Sequence, residues 1–68
     1  MGLLKKITET PEKLPHYDDS KWVRIHLTSG KSCLGFYSYK EDQWREFSDI
    51  QDLSHTSLLN TNTITGWN

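Results

Sequence analysis

Covalent staples, long apolar runs and a dominant sign of charge are all missing from this chain. It has one cysteine, Cys33, in 68 residues, so no internal disulfide can form, and a reducing cytoplasmic compartment is the expected setting. His16, His26, His55 and Cys33 lie without the paired spacing of a structural zinc site, so neither a metal nor a cofactor is expected. No apolar stretch approaches the length of a membrane span or a signal peptide, and no membrane partner is expected. Met1-Gly2 opens like an acylation site but carries Lys6 where Ser or Thr belongs. The net charge is −1, which gives no global attraction to a polyanion. Phosphate-binding glycine loops, nucleophile elbows and carboxylate pairs at catalytic spacing are absent, and no enzyme is expected.

A chain of this length is expected to be one domain that buries only about 60% of its unfolded surface, so every large apolar residue counts toward packing. Residues 1–20 read as an irregular opening segment: Leu3, Leu4 and Ile7 precede Thr10-Pro11, Pro15 stops anything longer than a turn, and a short strand or helical turn is followed by an irregular loop anchored by Leu14. Residues 21–47 read as a three-strand meander. Val23, Ile25 and Leu27 alternate with Trp22, Arg24 and His26, and Ser29-Gly30 turns Lys31 back beside Thr28. That two-residue turn sets Val23 opposite Phe36 and Ile25 opposite Leu34 on an aliphatic face, with Trp22 opposite Tyr37 and His26 opposite Cys33 on the other. A turn at Lys40-Glu41-Asp42-Gln43 then pairs Tyr39 with Trp44, Tyr37 with Glu46 and Phe36 with Phe47.

Ser48-Asp49-Ile50-Gln51 fits a capping box, so a short helix is expected over 48–55, with Ile50 and Leu53 sharing a face. Residues 53–68 contain no Asp, Glu, Lys or Arg, and 61–68 read as a closing strand with Ile64 inward and Trp67 as a plug. The fold class is therefore mainly β: a small antiparallel sheet or partly open SH3-like barrel of four to five strands with one short helix.

Four constellations bear on function. The first is the aromatic face of Trp22, Tyr37, Tyr39 and Trp44, rimmed by Arg24, Lys40 and Arg45; it suits a protein-binding hot spot or the stacking of single-stranded nucleic acid. Its plainer alternative is that Trp22 and Trp44 cover the barrel or pack under the N-terminal segment. The second is the cross-strand pair His26 and Cys33, a candidate thiolate or soft-metal pair that lacks an orienting carboxylate and reads better as an ordinary sheet pair. The third is the acidic group Glu41, Asp42, Glu46, Asp49 and Asp52, better explained as a solvated turn and helix start than as a cation loop. The fourth is the uncharged tail, whose strand either offers an edge to another chain or completes the domain's own sheet.

Glu12-Lys13-Leu14-Pro15, the Val23 to Leu27 strand, Gly35-Phe36-Tyr37, Trp44 and Ile64-Thr65-Gly66-Trp67 resemble the pattern of a family of small tailed-phage and prophage proteins. Ile7 stands at that family's opening tryptophan and Gly66 at its histidine. The resemblance implies a compact antiparallel β fold and a phage accessory role in the host cytoplasm, with no activity to transfer. By analogy with small phage proteins, the expected function is non-catalytic binding of a protein partner, a host factor to be inhibited or a second copy of the chain. The expected contact residues are Trp22, Arg24, Tyr37, Tyr39, Trp44 and Arg45, with single-stranded nucleic-acid binding on the same residues as the alternative.

Overall fold

A computed structural model of the chain describes residues 3–49 and 51–68. Among these residues five strands form, β1 (Val23–Leu27), β2 (Ser32–Ser38), β3 (Gln43–Phe47), β4 (Thr56–Leu59) and β5 (Ile64–Trp67), with a 3₁₀ turn over Thr61–Thr63. They make one open antiparallel sheet in the order β4-β3-β2-β1-β5. The expected mainly β architecture is the one observed.

The hairpin register differs from the expected one by a single residue, and that residue decides which side chains share a face. Gly30 takes φ +90°, a conformation that costs glycine little, and it closes a three-residue loop, Thr28-Ser29-Gly30, in which the Leu27 amide donates to the Lys31 carbonyl at 2.8 Å. Val23 therefore faces Gly35, Arg24 faces Leu34, Ile25 faces Cys33 and His26 faces Ser32. A slip of one residue sends every β2 side chain to the opposite side of the sheet relative to β1. Between β2 and β3 the shift is two residues, with Tyr37 facing Trp44 and Phe36 facing Arg45, so those two strands keep their relative sides. Tyr37 and Trp44 thus stand on the side of Ile25, while Phe36 and Phe47 stand on the side of Trp22.

The inner side is the core. Ile25, Trp44, Leu59, Ile64 and Trp67 form its buried cluster, with Ile7, Val23, Leu27, Cys33 and Tyr37 packed against it. Flat strand spacing would hold β3 and β5 roughly 14 Å apart, yet the Trp44 and Trp67 ring centroids are 6.4 Å apart. The two side chains converge over β2 and β1. Trp44 is only 2% exposed, and sealing a ring of its size is worth on the order of 5 kcal/mol of transfer free energy. β3 and Ile25 crowd Gly35, where an added Cβ would meet the Arg45 carbonyl oxygen at 2.2 Å and Ile25 Cδ1 at 2.7 Å.

The opening segment closes this core. Lys5 exchanges backbone hydrogen bonds with Trp67, at 2.8 and 3.0 Å, and its ammonium lies 5.2 Å from the Trp67 ring centroid. Ile7 packs on the cluster, the Trp67 indole N–H donates to the Glu9 carbonyl at 2.7 Å, and the Tyr39 hydroxyl donates to the Pro11 carbonyl. The chain then doubles back: the Leu14 amide donates to the Asp19 carbonyl at 2.9 Å and the Ser20 amide to that of Tyr37 at 2.9 Å. Residues 18–20 thereby continue the β1 column beside the end of β2. Ser20, fully buried, accepts from the Tyr37 amide at 2.9 Å and donates to the Lys21 carbonyl at 2.8 Å.

Among the described residues of 48–55, the expected helix does not form. Asp49 accepts from the Gln51 amide at 2.9 Å and Asp52 from the Ser54 amide at 3.2 Å, giving two successive side-chain-capped turns. So short a helix cannot recover its nucleation cost, and Asp and Ser offer the backbone local alternatives. Both ends are also pinned, since the Ser48 amide donates to the His55 carbonyl at 3.0 Å and extends the β3–β4 ladder. Ile50, expected to share a helical face with Leu53, lies outside the described residues, as do Met1 and Gly2 of the acylation-like start.

Candidate interaction surface

The register divides the expected aromatic face between the two sides of the sheet. Trp44, Tyr37 and Tyr39 stand together on the inner side, with Tyr37 edge-on to both Trp44, at 5.2 Å, and Tyr39, at 5.0 Å. Trp44 is sealed there, and the Tyr39 hydroxyl is occupied by Pro11 and, at 3.0 Å, by Thr10 Oγ1. These three belong to the core and its cover, so they do not form one surface with Trp22. The plainer alternative holds for Trp44, which is sealed in the core, whereas Trp22 covers Phe47 in part and keeps half its own surface in water.

The outer side carries a different aromatic group. Trp22 reaches across β2 and meets Phe47 edge-on at 4.9 Å, and Phe47 meets Phe36 at 5.5 Å. Both phenylalanines are buried, whereas Trp22 stays 53% exposed. Leu34 and Leu58 are also exposed on this side, opposite Arg24 and Arg45 respectively. Sequence reasoning placed Leu34, Phe36 and Phe47 on the side of Ile25 and passed over Leu58; Phe36 and Phe47 are buried as expected, but on the other side of the sheet. The glycine at the third loop position was the signal that would have moved the first three outward.

The basic rim is unequal. Arg45 makes a two-pronged pair with Glu41, Nε to Oε1 at 2.6 Å and Nη2 to Oε2 at 3.0 Å, and its Nη1 donates to Thr56 Oγ1 at 3.0 Å. That hydrogen-bonded pairing holds the Glu41 carboxyl below its ordinary range and raises Arg45, so both stay ionised at neutral pH. Arg45 is thereby committed within the chain. Arg24 is exposed beside Leu34, while His26 Nε2 lies 3.0 Å from Asn68 Oδ1.

The His26 and Cys33 pairing is overturned, since Ile25 faces Cys33 and His26 faces Ser32. The two side chains point to opposite sides. Burial pushes the Cys33 thiol up to about 11, with Glu46 adding to the shift, so it is protonated and weakly nucleophilic at neutral pH. The acidic residues are dispersed among local tasks: Glu41 binds Arg45, Asp42 takes φ 56° in the β2–β3 loop, Asp49 and Asp52 cap turns, and Asp52 also lies 3.2 Å from His55 Nε2. Among the described residues, no three His, Cys, Asp or Glu side chains gather as a metal site, and no pocket is present. No protein-family model, curated protein or solved structure matches this chain.

Proposed function

We propose that this protein is a non-catalytic module that binds another protein through the outer side of its sheet, with Trp22 as anchor, Leu34 beside it and Arg24 at the rim. The observation that carries this reading is the half-exposed Trp22 indole held edge-on against a buried phenylalanine. A large ring already fixed by a neighbour loses little conformational entropy when a partner covers it, which is why tryptophan and arginine recur at binding hot spots. The partner class is a folded or extended protein surface, including a host factor if the chain acts in a phage setting. Nucleic acid fits less well, because Arg45 is committed to Glu41 and the chain carries a net charge of −1.

The test is affinity capture with the wild-type chain, Trp22→Ala and Arg24→Glu, each checked for folding by near-UV circular dichroism. A partner retained by wild type and lost by both folded variants supports the reading. A partner retained equally by all three removes the outer side from consideration. Steep loss of oligonucleotide binding with rising salt would instead favour nucleic acid.

A further inference from the structure

The two edges of the sheet are treated differently. β5 is covered by the chain itself, through the reciprocal Lys5–Trp67 hydrogen bonds. β4 ends the sheet on the other side and pairs only with β3 among the described residues. Natural sheets usually guard an open edge with lysine, proline or a bulge. β4 reads Thr56-Ser57-Leu58-Leu59, within a stretch that contains no Asp, Glu, Lys or Arg, and Leu58 is 56% exposed.

The hydrogen-bond alternation fixes what this edge offers. The Ser48 amide donates to the His55 carbonyl, which makes that opposed pair a bonded one. Alternation then makes Ser57 with Glu46 and Leu59 with Trp44 bonded pairs, while the amides and carbonyls of Thr56 and Leu58 point away from β3. We infer that β4 pairs antiparallel with β4 of a second copy of this chain about a two-fold axis at Ser57. In that register Thr56 of each copy faces Leu58 of the other and both pairs exchange both bonds, so every outward amide and carbonyl of Thr56 and Leu58 is satisfied. Opposed residues share a side, so the two outer surfaces become continuous and each Leu58 side chain lies against Thr56 of the other copy. An uncharged strand meets its twin without repulsion, which favours a second copy over a charged peptide. This inference does not rest on the Trp22 reading.

An interface built on one short strand pair belongs to the weak class, below about 1,200 Å², so the experiment is sedimentation equilibrium of the whole chain up to about 1 mM. Leu58→Pro deletes an amide that the chain's own sheet does not use, and Thr56→Lys places a guarding charge at the edge; near-UV circular dichroism reports whether each keeps the Trp44 core. Wild type should dimerise with rising concentration, and both folded variants should weaken that at least about tenfold. The Thr56 and Leu58 amides should become protected from hydrogen exchange in step with dimerisation. A wild-type chain that stays monomeric throughout overturns the inference. So does a dimer that survives both variants or that Trp22→Ala abolishes.

Discussion

The inner and outer sides of this one sheet are built from similar side chains yet end in different states. On the inner side the cluster around Trp44 and Trp67 is joined by Ile7 from the opening segment, whose carbonyls at Glu9 and Pro11 accept from the Trp67 indole and the Tyr39 hydroxyl. On the outer side Phe36 and Phe47 are covered in part by Trp22, which keeps half its own surface in water. The contrast teaches that an aromatic residue's role here follows from what crosses over it. Neither its type nor its distance from the turn decides the matter.

The comparison breaks first where the core is tightest. Gly35→Val should leave no folded chain, because the new side chain would begin 2.2 Å from the Arg45 carbonyl; circular dichroism at 25 °C reads this directly. Trp44→Ala should cost about 3–5 kcal/mol by denaturant titration, most of the roughly 3–10 kcal/mol expected for a domain of this size. Trp22→Ala should lower stability by no more than about 1.5 kcal/mol, the scale of one aromatic pair. Equal losses for the two tryptophans would mean that the sides are not distinct.

Two further outcomes sharpen the contrast through pH. The Cys33 thiol is raised from 9.0 to about 11 in the folded chain, so over that window the native state holds the proton more tightly than the unfolded state. Stability should therefore fall as pH rises from about 9 toward 11, and Cys33→Ala should flatten that slope in alkaline denaturant titrations. An unchanged slope would place the thiol in water. The smallest effect is expected at the outer rim: Glu41→Gln should lower the melting temperature slightly at pH 7. Because the Glu41 carboxyl is held below its ordinary 4.5, its stabilisation is present above that value and lost as pH falls through the folded one. The melting temperatures of variant and wild type should converge in acid.

Much of the fold was legible along the chain. Alternation marked the Val23 to Leu27 strand, β-branched Thr and Ile marked the closing strand, and Pro11 and Pro15 kept the opening segment irregular. The expected helix over 48–55 was not, because capping residues are also turn residues and only the Ser48–His55 closure shows which role wins. Of the expected face, Trp22 and Arg24 share one side of the sheet, while Tyr37, Tyr39 and Trp44 stand on the other. A two-residue and a three-residue loop both accommodate Ser29-Gly30, and the choice between them inverts the faces of β2 and β3 against β1.

By itself the sequence determined a small antiparallel β chain, stabilised without disulfides and rich in aromatics along two strands. These properties are local: alternation, turn residues and charge are read within a few positions of one another. The tertiary structure alone decided which aromatics were sealed and which met water, and which edge stayed open among the described residues. Those outcomes depend on the strand register and on the path of residues 3–11 across the sheet, where the packing of Ile7, Trp44 and Trp67 joins segments far apart in the chain.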